Sequence, residues 1–148
     1  MKQAKLFVYG TLMKGFINFN KYLSKNTIRI EKAFVYGKLF HLIDKECPAL
    51  IEGTDRVFGE VITITDDDKN SILNDIDELE RYFKGDRRNI VYTRQGTKVY
   101  YEDGKTEILG AYILKDRRFL SINNSIYIPE GDWRVFLKKT VKQKASSY

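Results

Sequence analysis

Two features of this 148-residue chain are of the kind that chemistry needs: backbone amides stranded at the end of a strand, and a carboxylate on the apolar side of a helix. The first lies in Lys5-Leu6-Phe7-Val8-Tyr9-Gly10-Thr11-Leu12-Met13-Lys14-Gly15, where an apolar and aromatic run stops at Gly10 and Gly15 closes the excursion. A strand that ends so abruptly leaves consecutive N–H groups without sheet partners, and such groups can face an anion or a developing oxyanion. Gly10 suits this place because it has no Cβ to block close backbone approach.

The second feature is Glu80. On a wheel of about 100° per residue, Ile72, Ile76, Leu79 and Phe83 form one stripe with Leu73 at its edge, and Glu80 falls between Ile76 and Leu73. Glu78 projects almost opposite, and Asp77 sits at the margin. A carboxylate on the core side breaks the binary pattern, and such breaks tend to mark functional or strained sites. Two readings stay open. Glu80 can be held by a buried arginine or cap a loop, as in structural ion-pair networks. Alternatively it lies in a partly dry cavity, where desolvation lifts a carboxyl from about 4.3 toward neutrality and fits it for general acid–base work.

The elements that must position these groups read as follows. A strand covers about residues 4–9, and Phe16, Phe19, Tyr22 and Leu23 have the spacing of a short helix packed on it. Residues 28–42 form a β-rich stretch in which Ala33, Val35, Gly37 and Leu39 alternate with Phe34, Tyr36, Lys38 and Phe40, a pattern that predicts cover on both faces. A loop is expected around Cys47-Pro48-Ala49-Leu50-Ile51, then a strand over Val57–Ile64. The clearest helix runs from Asp66 to about Phe83, capped by Thr65 or Asp66, with Asp66-Asp67-Asp68 suiting the positive end of its dipole. Strands follow near Ile90–Arg94, Lys98–Glu102 and Ile108–Leu114, with turns at Gly96 and Asp103-Gly104. Trp133 to Val141 reads equally as strand or helix. The fold class is α+β: a mostly antiparallel curved sheet or small β-barrel with one main helix and short helices.

The bulk numbers agree. A chain of this length makes one domain that buries roughly two thirds of its unfolded surface. Aromatics at 14% favour strands around a barrel-like core. The domain is expected over residues 1–137, with 138–148 as a basic C-terminal tail. A single cysteine, Cys47, excludes an internal disulfide, and a single histidine, His41, removes most metal sites. No run approaches the length needed to cross a membrane, and the protein is expected in the cytoplasm. The net charge of +6 gathers in Arg81-Lys84-Arg87-Arg88, Lys115-Arg117-Arg118 and the tail; without a recognised nucleic-acid module it reads as solvated surface, and no nucleic acid is expected as a partner. His41 reads as a satisfied, partly buried imidazole, and no third residue supports a Cys47–His41 nucleophilic pair.

Taken together, these residues resemble the γ-glutamylcyclotransferase superfamily, especially its γ-glutamylamine cyclotransferase-like branch. Phe7-Val8-Tyr9-Gly10-Thr11-Leu12 followed by Lys14-Gly15 is similar to its Tyr-Gly-Ser/Thr-Leu signature. Cys47-Pro48-Ala49-Leu50-Ile51 and Val57-Phe58-Gly59-Glu60-Val61 resemble its Pro-Ala-Leu loop and Val-x-Gly-Glu-Val strand. Ile76-Asp77-Glu78-Leu79-Glu80-Arg81-Tyr82, Tyr92-Thr93-Arg94, Ala111-Tyr112-Ile113-Leu114 and Gly131-Asp132-Trp133 follow in the same order as the family's later motifs. Arg81 in place of the usual Gly, and Leu114 in place of an aromatic, are departures that bear on substrate preference.

The resemblance implies that Glu80 is the catalytic acid–base and that Tyr9, Gly10, Thr11 and Leu12 bind the γ-glutamyl part of a small-molecule substrate. It implies intramolecular aminolysis releasing 5-oxoproline and an amine or amino acid, with no cofactor and no metal. Tyr92, Arg94 and Tyr112 are candidates for lining the cavity or for ordinary core and ion-pair roles. The rival reading is a non-catalytic domain of the same fold that binds a carboxylate-bearing metabolite. Selectivity for the leaving amine lies in the loops that wall the cavity, and oligomeric state has no signature in the sequence.

Overall fold

The computed structural model describes residues 1–82 and 89–146, and for 142–146 the backbone alone. Six strands, β1 (Lys2–Val8), β2 (Thr27–Leu42), β3 (Cys47–Asp66), β4 (Tyr92–Tyr101), β5 (Thr106–Leu114) and β6 (Ser125–Ile128), combine with helices α1 (Ser71–Arg81) and α2 (Trp133–Ser146). The order β3-β1-β5-β4-β2 closes through a β2–β3 pairing into a five-stranded barrel, and β6 extends the sheet from the far end of β2. Every pairing is antiparallel except β1 with β5, which meet in parallel at Leu6 and Gly110. The expected α+β architecture is the one found.

Closure follows from the sequence pattern. Val35 and Leu39 on β2, Val57 and Val61 on β3, Phe7 on β1 and Val99 on β4 are completely buried and fill the barrel. Side chains alternate across each strand, so the intervening residues face outward. On β2 these are Phe34, Tyr36, Lys38 and Phe40, and here the structure corrects the expectation of cover on both faces: Tyr36 is 45% exposed. The outer aromatics pack on one another instead, Phe34 stacking on Tyr100 at 5.1 Å between centroids with the Arg56 guanidinium over its ring. Cross-strand ring pairs of this kind stabilise a sheet face that no second layer covers.

Several boundaries differ from the sequence reading. Cys47–Ile51 is the first part of β3, not a loop, because Leu42, His41 and Phe40 pair with Cys47, Pro48 and Ala49 across a tight turn. Gly96 is inside β4, opposite Gly110, and makes no turn; the turn lies at Gly104, with φ +89°. The main helix starts at Ser71, later than expected, because Asp66 stays in register with Lys2 as the last residue of β3. Asp66 still caps the helix from there, its carboxylate accepting the N–H groups of Ile72 and Leu73 at 3.1 and 3.2 Å. The helix ends at Arg81, with Tyr82 extended; Phe83 lies outside the described residues. Lys84, Arg87 and Arg88 of the basic run also lie outside them.

At the N-terminal side, the expected short helix is a wide π-type turn, Phe19–Leu23, with Phe19 and Leu23 buried. The ambiguous last run is helical, and α2 continues through the segment expected as a tail. Asp132 starts this helix by accepting the Val135 N–H, and Trp133 buries its ring against Phe16. No described helix is long and apolar enough to cross a membrane.

Candidate active site

The β1 strand ends at Val8, paired with Glu60, and the chain turns outward through Tyr9–Gly15. The turn is pinned from within by Met13 N–H to the Gly10 carbonyl at 2.9 Å. It is pinned from outside by the next turn, where Phe19 N–H reaches the Thr11 carbonyl at 3.1 Å and the Asn18 amide donates to Thr11 Oγ1 at 2.7 Å. The N–H groups of Gly10, Thr11 and Leu12 have no partner among the described residues. Sequence reasoning missed Asn18. Its signal is only the presence of an amide side chain within one helical turn of the loop.

Gly10 has a reason for being glycine that the sequence does not carry. A Cβ there would lie 2.6 Å from Cγ and 2.8 Å from Cδ of Pro48, so the loop is packed directly against the β3 start. Tyr9 supports the same junction from below. Its buried hydroxyl donates to the Tyr112 carbonyl at 2.6 Å and accepts the Leu50 N–H at 3.3 Å, which ties the loop to β5 and β3 together.

Helix α1 closes the other side. Leu73 and Ile76 bury its apolar face, and one turn after Ile76 the same face carries Glu80. A small recess of about 40 Å³, open at its mouth, is lined by Phe7, Val8, Tyr9, Gly10, Thr11, Leu12, Cys47, Pro48, Tyr112 and Glu80. The carboxylate picked out on the wheel and the loop at the end of the first strand therefore share one hollow. Glu80 keeps part of its surface accessible there. Burial among apolar walls nevertheless pushes its pKa from 4.5 up to about 7, the Lys45 ammonium opposing the rise.

Of the remaining candidates, Tyr112 lines the recess, whereas Tyr92 and Arg94 do not. They belong to a neighbouring groove, with Asp77, Arg81, Thr93 and Tyr112. The Tyr92 hydroxyl donates to the Pro48 carbonyl at 2.8 Å and so braces the wall against which Gly10 rests. Arg94 clamps Asp77 with two hydrogen bonds, Nε–H to Oδ1 at 2.9 Å and Nη2–H to Oδ2 at 3.0 Å. The Tyr112 hydroxyl adds a third to Asp77 Oδ1 at 2.6 Å. Burial works against ionisation of Asp77, but these donors prevail and hold it below the usual carboxylate range. The arginine that could have satisfied Glu80 is thus engaged by Asp77, the acid assigned to the helix margin.

Cys47 shares the recess, where burial pushes its thiol up, away from the reactive thiolate. His41 is elsewhere: its Nδ1 accepts the Trp133 indole N–H at 3.1 Å, as a satisfied imidazole. No group of three His, Cys, Asp or Glu among the described residues could hold a metal ion.

Comparison with known proteins gives three kinds of finding. A family model described as gamma-glutamyl cyclotransferase, AIG2-like, matches residues 6–135. No curated protein matches the chain. Solved structures do, among them YkqA from Bacillus subtilis, with 24% identity over 94% of this chain and a TM-score of 0.62. The chain spans 43% of YkqA, less than half of that protein. An AIG2-like protein from Mus musculus is 21% identical, covers 81% of this chain and 84% of its own, and superposes with a TM-score of 0.60. An Arabidopsis thaliana protein solved in solution is 18% identical, covers 97% of this chain and 89% of its own, and gives 0.65. At these identities the structural likenesses establish the fold alone.

Proposed function

The chain belongs to the gamma-glutamyl cyclotransferase, AIG2-like family, and from that premise we propose that it cyclises a γ-glutamyl amine or peptide, releasing 5-oxoproline and a free amine or amino acid. The observation that carries this reading is the shared hollow. It brings the Glu80 carboxyl, its pKa raised by burial to about 7, together with loop amides that have no partner among the described residues.

The reaction needs little else. The α-amine of the γ-glutamyl group attacks its own γ-carbonyl carbon, a C–N bond closes the five-membered ring, and the bond to the departing nitrogen breaks. Because the nucleophile is tethered, a pocket that folds the substrate into a near-attack shape exploits a large effective molarity. Glu80 takes a proton from the attacking nitrogen and returns one to the leaving nitrogen, a double task suited to a pKa of about 7. The amides of Gly10, Thr11 and Leu12 face the tetrahedral oxyanion or the substrate carboxylate; one such donor is typically worth about 3 kcal/mol in the transition state.

Thr11 fits the same role. Its Oγ1 already accepts from Asn18, which leaves its own proton to donate toward an anionic ligand. The Tyr9 hydroxyl is engaged with Tyr112 and Leu50, so Tyr9 contributes its ring and its backbone to the wall.

The test is incubation with a panel of γ-glutamyl compounds, including γ-glutamyl-ε-lysine and γ-glutamyl dipeptides, with direct measurement of 5-oxoproline. Turnover of at least one member, lost by at least about 100-fold in Glu80→Gln with the fold intact, is the expected result. Undiminished turnover in Glu80→Gln would remove Glu80 from the mechanism. Binding without 5-oxoproline from any member would make the domain a metabolite binder.

A further inference from the structure

A second carboxylate stands beside the first. Asp77 and Glu80 are three residues apart on α1, so their side chains are neighbours on one helix face, with Cβ atoms roughly 5–6 Å apart. Tyr112 joins the two environments: it lines the recess with Glu80, and it lines the groove on the other side with Asp77 and Arg94. Two strong donors of this region, the Arg94 fork and the Tyr112 hydroxyl, both converge on Asp77.

We propose that Asp77 is a positioning residue for Glu80: by holding Arg94 and Tyr112 as its own partners it keeps both from Glu80, which can then gain and lose a proton in the recess. The proposal takes Glu80 as the group that moves protons, as argued above. Its logic is competitive. A guanidinium clamped bidentately has its charge compensated locally and its reach fixed. With Asp77 neutral, Arg94 would lose its counter-ion, and the next carboxylate on the same face is Glu80. A cation or a hydroxyl donor there would favour the charged carboxylate and cost it its basicity.

Among the described residues, further groups from several elements act on Glu80. Lys45 from the β2–β3 turn, Cys47 from β3, Tyr9 after β1, Tyr92 from β4 and Tyr112 from β5 all interact with it electrostatically. Burial raises the pKa values of Cys47, Tyr9, Tyr92 and Tyr112, so they stay neutral at the pH where Glu80 titrates. On α1 itself, Arg81 and Glu78 are exposed to solvent. Among the described residues, compensation between Asp77 and Arg94 is therefore the adjustable part of the local field.

The experiment reads Glu80 directly, by carboxyl ¹³C NMR titration of the full chain, with its resonance identified by loss in Glu80→Gln. Asp77→Asn should lower the titration midpoint of Glu80, making it bind its proton about tenfold more weakly, and Asp77→Asn with Arg94→Gln should return it to the wild-type position. Arg94→Gln alone leaves Asp77 uncompensated and should move the midpoint up. This second variant carries the test if Asp77→Asn does not fold. Coincident midpoints in wild type and in either single variant, or a lowered midpoint that Arg94→Gln does not restore, would overturn the proposal. The titration needs no turnover. If midpoints move as expected and no variant or wild type yields 5-oxoproline, the electrostatic role stands and the cyclotransferase reading falls.

Discussion

Gly10 and Pro48 are locked together: the position a Cβ would take on Gly10 lies 2.6 Å from the Pro48 ring. Pro48 is in turn held by the Tyr92 hydroxyl through its carbonyl, so the ring has little freedom to retreat. The glycine in the loop signature therefore serves packing between two strand ends as well as access to a ligand.

Gly10→Ala should accordingly destabilise the protein by about 1–3 kcal/mol, as overpacking does. Urea unfolding measures this. Combining it with Pro48→Ala should recover part of the loss, because the second change removes the ring that the new methyl strikes. Stability of Gly10→Ala equal to wild type would show that the loop shifts without cost.

Stability should depend on Glu80 and pH in a defined direction. Its folded pKa of about 7 exceeds the ordinary 4.5, so between these values the folded state binds more protons than the unfolded state. Wild-type stability from this group is full below the lower value and falls as pH rises through the upper one. Glu80→Gln removes that slope. The variant should exceed wild type by on the order of 2 kcal/mol at high pH and match it in acid, by denaturant titration at several pH values. A difference that grows toward acid would contradict the burial of this carboxyl.

His41 offers an independent check away from the recess. Burial lowers its pKa from 6.5, and protonating Nδ1 would set its N–H against the Trp133 indole N–H. A depressed histidine contributes stability above its unfolded pKa and loses it as pH falls. Trp133→Phe takes away the opposing donor, so proton NMR should show the imidazole titrating at higher pH than in wild type. An unmoved or lowered midpoint would mean that this hydrogen bond does not set the tautomer.

The sequence made the placement of Glu80 and of the first loop more legible than the element boundaries. The angular position of Glu80 among Ile72, Ile76 and Leu73 is local information, and the hollow it occupies bears that pattern out. The abrupt end of β1 before Gly10 is local as well. What could not be read depends on partners distant in the chain. Cys47-Pro48 looks like a loop until Leu42 and His41 lie beside it, and Gly96 looks like a turn until Gly110 faces it. β6 exists because Ile128 to Ser125 find Leu39 to Leu42. The same holds for Arg94, whose type permits a pairing with either acid of α1 and whose choice of Asp77 is fixed only by β4 geometry.

The parallel joint between β1 and β5 has a consequence for how such a molecule comes into being. Segments far apart in the chain meet there: Leu6 lies beside Gly110, and the Tyr9 hydroxyl donates to a carbonyl 103 positions downstream. Contacts so remote in the chain form slowly, because a long loop must close before they yield anything. The hollow around Glu80, walled by residues from Phe7 to Tyr112, is therefore complete only once these remote contacts have formed.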